Sequence, residues 1–237
     1  MKNLIVANWK MNPNSQKEAK EIFDAIREGS RGLDVEVIVC PPAVYLYASI
    51  FGEGVVSMGA QNVYFEDKGA FTGEISVEML KDLKVEYIII GHSERRKYFG
   101  ETDEIINKKI KKALEAGLKV IFCVGETQEE HDAGKKNEVL EKQIKIGLDG
   151  ITDLANLNVA YEPVWAIGTG NNCGVEETKE SLDFIRTLIG QVRVLYGGSV
   201  KSDNSGEYIK EAGANGLLVG GASLIAEEFI KIVKSAE

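Results

Sequence analysis

Chemistry in this chain would begin at Glu162. It closes the apolar run Leu157 to Tyr161 and opens the stretch Glu162-Pro163-Val164-Trp165-Ala166-Ile167-Gly168-Thr169-Gly170. A residue before proline is steered away from helix, so Glu162 stays extended. The apolar Val164 to Ile167 then lies between a proline and a Gly-Thr-Gly, the pattern of a loop that covers something. Two readings stand: a proton-abstracting carboxylate on a rigid strand end beside an apolar lid, or a salt-bridged glutamate ending a buried strand.

A second candidate is His92, one of two histidines, directly after the apolar run Ile88-Ile89-Ile90-Gly91. If the chain turns helical at Ser93, the helix N-terminus disfavours imidazolium, and a neutral ring can polarise a carbonyl and exchange protons with it. The alternative is a structural histidine. His131, within Gln128-Glu129-Glu130-His131-Asp132, reads as solvated surface. Lys10, in Ala7-Asn8-Trp9-Lys10-Met11-Asn12, is a cation just past an apolar strand, either a solvated loop charge or a partner for developing negative charge. Two Gly-Gly turns, Gly197-Gly198 and Gly220-Gly221, follow the last two apolar runs. Glycines let backbone N–H groups approach an anion closely, and a helix N-terminus adds its dipole.

The elements that must position these residues form a regular series. Short, nearly continuous apolar runs fall near 4–9, 35–40, 55–60, 86–91, 118–124, 157–162, 192–197 and 216–219, as strands buried on both faces should. Helical patterns fill the gaps. Ser15-Gln16-Lys17-Glu18 reads as a capping box ahead of a face made by Ala19, Ile22, Phe23 and Ile26. Thr102 caps a helix carrying Ile106, Ile110, Ala113 and Leu114, with Gly117 as its stop, and Ala226, Phe229, Ile230 and Val233 form a final stripe. Eight strand–helix units in 237 residues predict an α/β chain folded as one (β/α)8 barrel domain over 1–237. An open doubly wound sheet is the competitor. Barrel chemistry sits at the carboxyl ends of the strands, which is where Glu162, His92, Lys10 and both glycine pairs fall.

Composition narrows the classes. A net charge of −9 argues against general nucleic-acid binding and requires any anion site to be local. Screening over about 8 Å at physiological salt allows such a site. Three widely spaced cysteines, Cys40, Cys123 and Cys173, form no Cys-x-x-Cys pair, so neither a disulfide framework nor a zinc site is expected, and a reducing compartment fits. Cys123 reads as a small packed residue. No run suits a signal peptide or a membrane helix.

These motifs carry a resemblance. Ala7-Asn8-Trp9-Lys10-Met11-Asn12, Gly69-Ala70-Phe71-Thr72-Gly73-Glu74, Gly91-His92-Ser93-Glu94-Arg95-Arg96, Tyr161 through Gly170, Tyr196-Gly197-Gly198-Ser199-Val200 and Leu218-Val219-Gly220-Gly221-Ala222-Ser223 are similar, in order, to those of the triosephosphate isomerases. The resemblance covers essentially the whole chain and implies a TIM barrel that interconverts dihydroxyacetone phosphate and D-glyceraldehyde 3-phosphate through a cis-enediolate. It implies Glu162 as general base, His92 as neutral electrophile and a closing lid over Val164 to Gly170, which is the family's known chemistry. It further implies Lys10 as the stabilising cation, Asn8 lining the site, and Gly168, Ser199, Gly220 and Gly221 holding the phosphate. Neither metal nor organic cofactor is implied. Glu94 and Arg95 would support the site and an interface. The family is glycolytic and gluconeogenic, cytoplasmic and usually homodimeric, with the loop around Thr72 inserted beside the neighbour's Asn8 and Lys10.

The chain departs from the family where Asn171-Asn172-Cys173 replaces the usual Lys-Thr-Ala of the second lid hinge, so a shifted opening balance is expected. The usual arginine near Glu129 is also missing. Other enzyme readings fit less well. An aldolase needs a Schiff-base lysine inside a strand, and an epimerase commonly needs metal ligands. A non-catalytic adhesion barrel predicts a damaged acid–base set, whereas Glu162, His92 and Lys10 are all present.

Overall fold

β-Branched and aliphatic residues dominate the eight short runs, and in the computed structural model each becomes a strand of one closed, all-parallel barrel. The structure describes residues 1–47, 54–167 and 172–237. The strands are β1 (Leu4–Asn8), β2 (Glu36–Cys40), β3 (Val56–Ala60), β4 (Tyr87–Ile90), β5 (Lys119–Val124), β6 (Leu157–Tyr161), β7 (Arg193–Tyr196) and β8 (Gly216–Val219). They pair in sequence order, and β8 closes on β1 through Leu4↔Gly216 to Ala7↔Val219. The open-sheet alternative is thereby excluded. The helices are α1 (Gln16–Gly29), α2 (Val77–Asp82), α3 (Ser93–Phe99), α4 (Asp103–Glu115), α5 (Gln128–Asp132), α6 (Lys136–Gly147), α7 (Val175–Ile189), α8 (Ser205–Lys210) and α9 (Ala226–Ser235). Between β2 and β3 the described residues hold only a single 3-10 turn, Ala43–Tyr45, rather than a helix.

Alternation along the strands divides the core in two. Leu4, Val6, Ile38, Tyr87, Ile89, Ile121, Cys123, Ala160, Leu195 and Leu218 fill one cluster, inside the barrel. Their neighbours, such as Ile5, Val37, Ile88, Phe122, Val159 and Val194, join the helices in the second. The barrel is thus a packed solid rather than a pore, with room for chemistry only at its mouth. At the opposite end Glu36 gathers the Tyr87 hydroxyl, Arg193 (2.6 Å) and Lys119 (3.4 Å), closing the floor with a charged knot.

The helix signals hold with two adjustments. Ser15 caps α1 by accepting from the Glu18 N–H at 3.2 Å, but the complete reciprocal capping box belongs to Thr127 and Glu130 at the start of α5. Thr102 caps α4 as expected, and Gly117 takes a positive φ of 80° just after it. On α9 it is Ile232, not Ile230, that joins Phe229 and Val233 in full burial, because Ile230 lies over Gly29 of α1 at the edge of that contact. Cys40, Cys123 and Cys173 are all free and buried.

Phe122 on β5 supports α6 by contact with Gly147, where a Cβ would meet the ring at 2.5 Å. Truncating a fully buried phenylalanine costs about 3–5 kcal/mol. Phe122→Ala is expected to lower the unfolding free energy by that amount in a urea titration.

Candidate active site

Four of the sequence-predicted residues meet at the carboxyl mouth because three different strands end there. Asn8 ends β1, Lys10 lies two residues beyond it, His92 follows β4 and Glu162 follows β6. They line one cavity of about 640 Å³ together with Ser199, Gly220 and Gly221, which follow β7 and β8. Gly168 lies outside the described residues, as do Thr169, Gly170 and Asn171 of the expected lid and hinge.

Glu162 is 2% exposed, so its carboxylate needs partners, which the turn after β4 supplies. One oxygen lies 3.0 Å from His92 Nε2, and the other accepts the Ser93 N–H at 2.9 Å. Burial favours the neutral acid, but the charge and hydrogen bond of His92, with the Ser93 amide, outweigh it and hold the pKa below the ordinary carboxylate range. His92 is also buried and forms the N-cap of α3, its Nδ1 accepting the Glu94 N–H at 3.2 Å. That bond fixes the neutral ring as the tautomer with its proton on Nε2, the atom facing Glu162. Burial disfavours imidazolium, as does the Lys10 charge, yet Glu162 alongside pushes the pKa of His92 above its usual value. The neutral ring expected from the helix terminus therefore depends on separating this pair. A carbonyl seated at Nε2 would do that and remove the cause of the shift.

Lys10 adopts a left-handed backbone with φ 54°, unusual for a residue with a side chain. Its carbonyl accepts from Gln61 Nε2 at 2.8 Å, its N–H donates to Asn8 Oδ1 at 3.1 Å, and its ammonium meets Glu94 at 2.5 Å. The cation is therefore held on both sides of its Cα. Gly220 lies alongside the lysine stem: a Cβ there would lie 3.3 Å from Lys10 Cε. Ser199 gives its hydroxyl to the Ala166 carbonyl at 2.6 Å, tying the β7 turn to the segment after Glu162.

Some neighbours were not anticipated. Glu126, just past β5, is fully buried, and one of its oxygens accepts from both Tyr161 Oη (3.0 Å) and Trp165 Nε1 (2.8 Å). Its place at a strand end was the available signal. His131 is not solvated surface: its ring stacks on Trp165 at 4.5 Å and lies within 4 Å of Glu126 and Glu177. The polar run around it is the whole of the short helix α5, which turns that one side chain over Trp165. Cys123 packs as expected, though against Glu162; burial first, and then that carboxylate, push its thiol pKa well up.

A carboxylate beside an Nε2–H imidazole can take a proton from carbon while the ring serves the adjacent oxygen, with a fixed ammonium opposing the negative charge that develops. Among the described residues no group of three or more His, Cys, Asp or Glu side chains is placed to hold a metal ion. Fold and site together define a barrel enzyme of the class that moves protons on a small anionic substrate at its strand ends. The sequence model of the triosephosphate isomerase family matches residues 3–236. The triosephosphate isomerases of Alkaliphilus metalliredigens and Aquifex aeolicus are each 47% identical to the chain, over 98% and 99% of it and 98% and 100% of their own lengths. That of Dictyoglomus thermophilum is 43% identical over 99% of both chains. The chain belongs to the triosephosphate isomerase family.

Glu126 also carries a pH signature. Burial raises its pKa, and its hydrogen bonds only partly oppose this, while its second oxygen has no hydrogen-bond partner among the described residues. The folded state therefore holds this proton more tightly than the unfolded chain. The stabilisation is complete below the ordinary glutamate value of about 4.3 and is lost as pH rises through the raised one. Relative to Glu126→Gln, the parent should lose unfolding free energy as pH rises from about 4.3 through the raised value. Urea titrations across that range check this, and a constant difference between the two proteins would contradict it.

Proposed function

We propose that the chain interconverts dihydroxyacetone phosphate and D-glyceraldehyde 3-phosphate by proton transfer through a cis-enediolate, in glycolysis and gluconeogenesis. The observation that carries this reading is the buried Glu162–His92 pair, in contact at 3.0 Å within the cavity that Lys10 also lines. Glu162 removes the proton from the carbon next to the carbonyl. His92 donates from Nε2 to the carbonyl oxygen and passes protons between the two oxygens. Lys10, anchored by Asn8 and Gln61, stabilises the enediolate's negative charge and draws in the anionic substrate. Ser199, Gly220 and Gly221, with Gly168 by family resemblance, receive the phosphate through backbone N–H groups, which lets a chain of net charge −9 bind an anion without an arginine cluster.

The reaction requires no metal or organic cofactor, and the single barrel domain works in the cytoplasm. Three buried free cysteines suit that reducing compartment, and no helix of the described residues is long and apolar enough to cross a membrane. The chain works as a homodimer through the loop around Thr72. Supporting this, the loop stands exposed with Phe71 at its tip, and Met11, Tyr98 and Phe99 leave further apolar surface open nearby in sequence to Lys10 and Glu94. A cavity of about 260 Å³ bordered by Gln61, Asn62, Glu74 and Arg95 offers a receptor for a partner's loop.

Two outcomes follow. With a chelator present, the purified protein should isomerise glyceraldehyde 3-phosphate rapidly, and Glu162→Gln should lose on the order of 10²–10⁴ or more in kcat. Affinity for a phosphate-bearing inhibitor should stay within a small factor in that variant; equal loss of both would make Glu162 structural. Thr72→Arg should shift sedimentation towards the mass of one 26.0 kDa chain and lower activity with it. An active protein that sediments as a monomer would remove the dimer from the account.

A further inference from the structure

Gln143, on α6 and half-buried, lies outside the active-site cavity, yet it holds both polar groups of one residue next to the base. Its Oε1 accepts the Gly125 N–H at 2.8 Å and its Nε2 donates to the Gly125 carbonyl at 3.1 Å. The pairing of β5 with β6 ends at Val124↔Tyr161, so at Gly125 a side-chain amide takes over from the ladder. The two residues flanking Gly125 carry the backbone of the base: the Glu162 N–H donates to the Val124 carbonyl at 2.7 Å, and the Val164 N–H to the Glu126 carbonyl at 3.0 Å. Gly125 also packs directly on Glu162, since a Cβ there would lie 1.7 Å from the Glu162 carbonyl oxygen. α6 is in turn a firm platform. One turn beyond Gln143, Gly147 sits on Phe122, and its carbonyl accepts from Asn107 at 3.0 Å.

We propose that Gln143 is a positioning residue for the Glu162 base, acting through Gly125. A primary amide is the side chain that offers a donor and an acceptor to one backbone residue at once. Holding Gly125 fixes the height of the Val124 and Glu126 carbonyls, and with them the height at which the Glu162 carboxylate enters the cavity. A misplacement of about 1 Å can cost on the order of a hundredfold in rate, so releasing this clamp slows the chemical step while leaving the phosphate-binding turns of β7 and β8 untouched. The proposal rests on Glu162 being the base.

The test compares the full-length parent with Gln143→Glu and Gln143→Leu, and with Glu162→Gln in parallel. Glutamate keeps the shape and the acceptor but, as a carboxylate, cannot donate to the Gly125 carbonyl; leucine removes both functions. Turnover is measured on dihydroxyacetone phosphate with hydrogen or deuterium at the transferred position, alongside inhibition by inorganic phosphate. Both variants are expected to lose about tenfold or more in kcat, with KM and phosphate inhibition within about twofold of the parent. They should also show a larger primary isotope effect, which a loss of folded protein would not produce. A parental kcat, a reduced kcat with an unchanged isotope effect, or failure of both variants to fold overturns the proposal. If Glu162→Gln keeps its turnover, the base assignment itself fails. If Glu162→Gln is inactive while both Gln143 variants match the parent, only the positioning role fails.

Discussion

A buried carboxylate that must stay charged is the constraint around which this molecule is arranged. Removing Glu162 from water costs several kcal/mol unless other groups replace the solvent. The replacements are His92 Nε2 and the Ser93 N–H, both delivered by the turn from β4 into α3. That turn also aims the Glu94 N–H at His92 Nδ1, so one helix start fixes the carboxylate, the ring and the ring's tautomer together. Lys10 is then drawn into the same set through Glu94.

The strained and crowded positions follow from this. Lys10 holds a left-handed backbone that costs of order 1–3 kcal/mol, against hydrogen bonds from Gln61 and to Asn8. Gly125 is a position where a methyl group would strike the backbone of Glu162. Behind Glu162, the Glu126–Trp165–His131 cluster links the start of α5 to the segment after the base. The strain at Lys10 is local, and the two-layered aliphatic barrel beneath offsets it.

The barrel was legible because its strands are buried on both faces and read as apolar runs whose positions differ from the observed strands by no more than two residues at either end. The gathering of side chains in one cavity was legible where a chemically distinctive residue stood at a strand end, as Glu162, His92 and Lys10 do. What escaped was set by contacts across the fold. Nothing in Gln128-Glu129-Glu130-His131 says that the histidine stacks on a tryptophan from another loop. Gln143 looks like any polar residue of an amphipathic helix until the chain brings it to Gly125, 18 residues away. Glu126 was visible as a strand-end carboxylate, but its burial against Tyr161 was not.

The central claim is that Glu162 shuttles a carbon-bound proton rather than merely anchoring His92. Isomerisation of dihydroxyacetone phosphate in deuterium oxide, followed by NMR of the product, tests it most directly. A proton that passes through a carboxylate can exchange with solvent, so product carrying deuterium at the newly protonated carbon is predicted. Conversion in which the migrating hydrogen never exchanges with solvent would point to a direct hydride shift and would contradict the account.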